Sequence, residues 1–126
     1  MLTGDKMETA ENIAYSCNLI QQNFKKLYLK KTDNGLTQYK KFINLLSNKN
    51  DGDYFSLIVH GQALIDIQKN ADLVKKYVNN VFVKCDSVVC CRMSPKQKGD
   101  IVRLIKKHQN KITLAVGDGA NDSNMI

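Results

Sequence analysis

The chain has 126 residues, room for one modest domain, and its 43% hydrophobic and 25% charged residues suit a globular protein rather than a disordered one. Its formal charge of +7 comes from 17 Lys and 2 Arg, but the lysines fall as scattered pairs (Lys25-Lys26, Lys30-Lys31, Lys40-Lys41, Lys75-Lys76, Lys106-Lys107). A nucleic-acid partner would call for a clustered basic face with interleaved aromatics; the pairs are dispersed instead, which argues for a solvated, lysine-rich surface.

Met1-Leu2 reads as the tail of a strand. Helical spacing then places Ala10, Ile13, Ala14 and Cys17 on one face, opened by the acidic Glu8 and Glu11. Phe24 to Leu29 is a candidate strand, followed by a turn at Asp33-Asn34-Gly35. From Leu36 a helix is expected, because Tyr39, Phe42, Ile43 and Leu46 share a face, and Asn50-Asp51-Gly52 signals its end. Tyr54 to Val59 reads as a second strand, closed by His60-Gly61, and a helix through Leu73, Val74, Tyr77, Val78, Val81 and Phe82 follows. Then come a strand over Ser87–Arg92, a helix opening at Pro95, and a closing strand over Ile112–Val116. Short apolar runs alternating with amphipathic stretches predict an α/β fold with a mostly parallel sheet.

Four cysteines form no framework. Cys90 and Cys91 are adjacent within an apolar run, so on a strand they point to opposite faces. Cys17 and Cys85 are isolated, no Cys-x-x-Cys or Cys/His metal spacing occurs, and buried reduced thiols of a cytosolic protein are expected. No signal-peptide pattern is present and no apolar run has the length of a membrane span; if a longer parent is membranous, this piece is a soluble module of it.

Three stretches carry chemistry, and all fall at the C-terminal ends of expected strands, where open α/β sheets form their ligand crevice. In Leu2–Lys6, "LTGDK", the Thr3 hydroxyl and the backbone amides around Gly4 suit a phosphate, although T-G-D also makes a good turn or helix cap. In Ser94–Lys98, "SPKQK", Lys96 sits near a helix start, where a cation is disfavoured, while Lys98 either reaches over the crevice to neutralise a phosphoryl group or is a solvated surface lysine. In "VGDGANDSNMI", Gly117 and Gly119 permit a sharp turn, with Asp118 at the strand tip and Asp122 one helical turn on. Two hard carboxylates so placed suit Mg²⁺, with Asn121 facing the same site. A hydroxyl-and-amide cradle, a lysine and a carboxylate pair are the parts phosphoryl transfer needs, since its work is positioning and charge neutralisation.

"MLTGDKMETAENIAYSCNLI" and "CCRMSPKQKGDIVRLIKKHQNKITLAVGDGANDSNMI", together somewhat under half the chain, resemble the cytoplasmic phosphorylation domain of P-type ATPases. The wording L-T-G-D-K-x-E-T-A, C-C-R-x-[ST]-P-x-Q-K and G-D-G-A-N-D is most similar to the phospholipid-translocating, type IV flippase branch. The resemblance implies that residues 1–126 are a partial phosphorylation domain with a haloacid-dehalogenase-like, Rossmann-type sheet. It implies ATP-driven lipid translocation through an aspartyl-phosphate, with Mg²⁺ as cofactor and ATP as substrate. Thr3 and Gly4 would contact phosphoryl oxygens, Asp5 and Arg92 would approach the nucleotide, and Lys98 would neutralise the phosphorylated aspartate. Asp118 would ligate Mg²⁺, Asp122 would support it, and Asn121 would bind phosphate. A phospholipid, a membrane and a small accessory flippase subunit are the implied partners, and the implied location is the cytosolic face of an integral membrane protein of the plasma membrane or an endomembrane.

The family's phosphorylated aspartate lies in D-K-T-G-T, which does not occur in these 126 residues. The resemblance therefore implies a fragment that is inactive alone and whose open sheet edges invite self-association. Two alternatives remain at this level: a soluble haloacid-dehalogenase-like phosphatase, and a flippase-like regulatory region fused to a signalling enzyme such as a guanylyl cyclase.

Overall fold

The computed structural model describes residues 1–109, and the expected strand Ile112–Val116 lies outside them. In chain order the elements are α1 (Met7–Ser16), β1 (Lys25–Leu29), α2 (Gly35–Ser47), β2 (Phe55–His60), α3 (Gly61–Gln68), α4 (Ala71–Tyr77), β3 (Ser87–Cys91) and α5 (Pro95–Gln109). The strands form one parallel sheet in the order β1-β2-β3. Parallel neighbours need crossovers of a dozen or more residues, which α2 supplies between β1 and β2, and α3 with α4 between β2 and β3. On the far side of β3, Leu2 forms a parallel bridge to Cys90. Cys90 N–H donates to Met1 O (2.8 Å) and Thr3 N–H to Cys90 O (2.9 Å), so the expected strand tail is paired there. This architecture is the predicted α/β one and accords with a piece of a haloacid-dehalogenase-like domain.

Register decides which side chains meet. Leu27, Leu57 and Val88 form one cross-sheet row, Tyr28, Ile58 and Val89 the next, and Leu29, Val59 and Cys90 the third. Alternate rows point to opposite faces. The first and third rows join Phe42, Leu46, Leu64, Ile67, Tyr77 and Val81 in the larger core, under α2 to α5. The middle row and Cys91 face Ala10, Ala14 and Ile20, under α1. Cys90 and Cys91 thus lie on opposite faces, as their adjacency predicts. Leu57, Ile58 and Val59 are fully buried, because helices cover both faces of the central strand. Each such side chain contributes about 1.5–3 kcal/mol.

Two local differences from the pattern reading have simple causes. In α1 the inward face is set by Ala10 and Ala14, both at 0% exposure, whereas Ile13 is 43% exposed and Cys17 is an exposed cap residue. Ile13 lies about 100° round the helix from Ala14, which puts it at the edge of the face that Ala10 and Ala14 press against the sheet. The expectation of four buried thiols accordingly fails at Cys17, and Cys85 is only half-buried. Helix α3 occupies a stretch for which the pattern reading gave no element. His60 closes β2 and caps α3 directly, its Nδ1 accepting from Gln62 N–H (3.0 Å), and Ala63, Leu64 and Ile67 face the core.

The expected helix through Leu73 and Phe82 is α4, continued by a π-helical turn over Val78–Phe82. Its wider winding buries Val78, Val81 and Phe82 together. Asn70 caps α4 by accepting from Asp72 N–H (3.1 Å) and Leu73 N–H (3.2 Å), and the Tyr77 hydroxyl donates to Gly35 O at the start of α2.

Candidate functional site

The described candidates converge at the C-terminal ends of the strands. The T-G-D loop leaves the Leu2 bridge and lies alongside the segment that leaves β3. Arg92 N–H donates to Asp5 O and Met93 N–H to Thr3 O, both at 2.9 Å. Thr3 Oγ1 accepts from Asp5 N–H and donates to the Asp5 carboxylate, both at 3.1 Å. Of the two structural roles open to T-G-D, the structure therefore selects the turn. The helix cap is excluded, because Lys6 occupies the N-cap of α1 and no side chain caps that end. Gly4 and Asp5 are exposed, which leaves the loop open to solvent.

Arg92 turns the chain out of β3 with φ +53°, a left-handed conformation uncommon for a residue with a side chain. The turn is close to the start of α3: a Cβ on Gly61 would stand 2.5 Å from Arg92 O and 3.2 Å from Cys91 O. Glycine at 61 lets these two backbones touch. Beyond Met93, Ser94 and Gln97 cap α5 reciprocally. Ser94 N–H donates to Gln97 Oε1 (2.9 Å) and Gln97 N–H to Ser94 Oγ (3.2 Å), a capping box with Pro95 inside it. The Gln97 amide also donates to Gly61 O at 2.9 Å. Lys96 is exposed, whereas Lys98 is 5% exposed. That burial removes the solvated-surface reading of Lys98, since a buried ammonium requires compensating oxygens.

Burial, together with the charges of Lys31 and Arg92, pushes the His60 imidazole below its ordinary pKa. The neutral ring is also the form that accepts the Gln62 N–H. His60, Lys31 and Gln97 went unassigned in the sequence reading. The S-x-x-Q spacing of Ser94 and Gln97 was a legible capping signal, but the link from Gln97 to Gly61 spans 36 positions and leaves no local trace. Asp118, Asn121 and Asp122 lie outside the described residues. Among the described residues no group of His, Cys, Asp or Glu is placed to hold a metal ion. Among them, too, no helix is long and apolar enough to cross a membrane.

Fold and site together define a parallel α/β unit in which the T-G-D loop and the segment Arg92–Lys98 meet at the C-terminal ends of the strands, where open α/β sheets bind their ligands. No protein-family profile matches the chain. It is, however, 41% identical over 140 residues to the Probable phospholipid-transporting ATPase 4 of Arabidopsis thaliana, an alignment covering 100% of this chain and 11% of that protein. Identity is 38% over 129 residues to the phospholipid-transporting ATPase tat-1 of Caenorhabditis elegans, with 100% and 11% covered. Identity is 33% over 155 residues to the Probable phospholipid-transporting ATPase IM of Homo sapiens, with 100% and 13% covered. From end to end the chain matches a segment of the phospholipid-transporting ATPases, the type IV flippases, and it spans about one tenth of the length of these relatives.

Proposed function

We propose that the chain is part of the phosphorylation domain of an ATP-driven phospholipid-translocating ATPase, and that its strand-end crevice handles the phosphoryl group and nucleotide. One observation carries the reading beyond the similarity of the relatives. The T-G-D loop and the segment Arg92–Lys98, distant in sequence, are hydrogen-bonded side by side at one end of a parallel sheet. On this reading the Thr3 hydroxyl and the Gly4 amide hold phosphoryl oxygens, while Asp5 and Arg92 face the nucleotide. Lys98 offsets the charge of a phosphorylated aspartate on a segment outside these 126 residues. Asp118 and Asp122 would hold Mg²⁺, which supplies charge neutralisation at the phosphoryl group, and Asn121 would add a hydrogen bond to it. Lacking D-K-T-G-T, the 126-residue chain alone does not turn over ATP. The substrate is a phospholipid presented at a membrane through other segments of the parent, and the domain faces the cytosol.

The test uses the full-length polypeptide that contains this chain, purified in detergent with phospholipid. The expected result is lipid-stimulated ATP hydrolysis with an acid-stable phosphoenzyme, reduced at least a hundredfold in Lys98→Met and Asp118→Asn. Hydrolysis of small phosphate monoesters by a soluble polypeptide, without lipid stimulation, would overturn the reading.

A further inference from the structure

We propose that Gln97 is a positioning residue for this chemistry: its carboxamide straps the start of α5, and with it Arg92 and Lys98, to the end of β2. The inference rests on the function proposed above and extends it to a residue that touches no reacting atom. Three observations converge on it. The amide is used in both directions at once, its oxygen taking the Ser94 N–H (2.9 Å) and its nitrogen giving to Gly61 O (2.9 Å). Those opposed partners also fix which end of the amide is which.

Capping does not explain why an amide stands here, because a capping box is served equally by Glu and Gln. Only the bond to Gly61 needs the N–H₂ group, since a carboxylate would set oxygen against oxygen. Finally, the strap meets the chain at the residue whose missing Cβ admits the Arg92 carbonyl. Strap and close contact therefore clamp the same turn from two sides. Arg92 leaves that turn in a left-handed conformation, which persists only when its surroundings over-determine it. Lys98, one residue past Gln97, is buried in the first turn of the same helix. A shift of α5 relative to β2 would move Lys98 with respect to the T-G-D loop, to which the backbone of Arg92 and Met93 is itself hydrogen-bonded.

The experiment compares Gln97→Glu, Gln97→Ala and Ser94→Ala in the full-length protein, by ATP turnover and by hydrogen exchange of peptides covering residues 90–98. Q97E keeps the cap and loses the strap, Q97A loses the strap and half of the cap without adding charge, and S94A loses the other half of the cap and keeps the strap. The expected result is a fall in kcat of at least tenfold in Q97E and Q97A, the scale of a misplaced catalytic group, with KM for ATP changed less than threefold. Exchange at Arg92 and Met93 should quicken more in these two variants than in S94A, whose fall in kcat should be the smaller. Wild-type turnover in either Gln97 variant, or an equal loss in S94A, would overturn the proposal. A wild-type protein without ATP turnover would sink the functional reading instead, and the exchange of residues 90–98 would then decide alone whether the strap exists.

Discussion

Gly61 and Arg92 share a space with no room for a Cβ: one built on Gly61 stands 2.5 Å from the Arg92 carbonyl oxygen and 3.1 Å from its carbonyl carbon. Both obstacles are backbone, so neither can swing aside as a flexible side chain would. Gly61→Ala ought to help on other grounds, since alanine favours helix and reduces the freedom of the unfolded chain, effects of about 0.4–1 kcal/mol each. The clash is larger. We expect a net loss of roughly 1–3 kcal/mol, the usual range for overpacking, read as a lower urea midpoint with unchanged slope. An unchanged or raised midpoint would mean that the β3 exit and α3 are not in contact.

Ser56 and Ser87 are register partners on β2 and β3, and their hydroxyls are hydrogen-bonded to each other inside the protein. Ser56 is fully buried and Ser87 is 7% exposed. Removing one hydroxyl strands the other without water, at a cost of about 1–3 kcal/mol. Removing both leaves no orphan. The double variant S56A/S87A should therefore be less destabilised than the two single losses summed, with a coupling of at least 0.5 kcal/mol. Additive losses in denaturant unfolding would show that the hydroxyls do not pair.

How far this architecture was legible depended on whether a contact was local. β2 and β3 were readable as short apolar runs, and β1, which opens on two lysines, by its apolar end and the turn that follows; β2 is apolar on both faces because helices cover both. Cys90 and Cys91 fell on opposite faces for the same elementary reason of strand alternation. Helix α3 escaped notice because its eight residues follow β2 without a turn. His60 had to serve as strand end and helix cap at once, and only the fold reveals the second role. At the site, Thr3, Gly4, Asp5, Arg92 and Lys98 stood out by motif. Nothing local announced that Gln97 reaches Gly61, or that the charges of Lys31 and Arg92 act on His60, since those neighbours come from different strand ends. Ile13 and Cys17 were misplaced for different reasons: Ile13 falls at the edge of the inward face of α1, and Cys17 lies past its last helical residue, Ser16.

The charges acting on His60 have a pH consequence. Burial first, then Lys31 and Arg92, hold its folded pKa below the ordinary 6.5. Within the window between the depressed folded value and 6.5, the unfolded chain binds more protons than the folded one. Stability from this group is thus fully present above pH 6.5 and declines as pH falls through the folded pKa. Protonation also turns Nδ1 from an acceptor into a donor, which ends its bond with Gln62 N–H. A thermal-stability profile should bend downward below pH 6.5, shallowly because His60 is part exposed. His60→Asn, a good N-cap that does not titrate, should remove that bend. A bend that survives in H60N would assign it to other groups.

Thiol chemistry offers a check on the packing that needs no assumption about function. Burial pushes Cys85 and Cys90 up to about 12 and raises Cys91, so these three remain protonated thiols near neutral pH. Cys17 is exposed at the end of α1, where its Sγ–H donates to the Ala14 carbonyl at 3.6 Å. Because the thiolate is the reactive form and must also be accessible, a disulfide reagent at pH 8 should titrate Cys17 quickly and the other three slowly. Full reaction of all four should require denaturant. Cys17→Ser should abolish the fast phase while leaving the slow one intact. Fast modification of Cys90 would be the damaging outcome, since that thiol lies in the larger core beside the Leu2 bridge and is 2% exposed. It would show that the edge formed by Met1 and Leu2 opens readily, and that the T-G-D loop is not held against β3 as described.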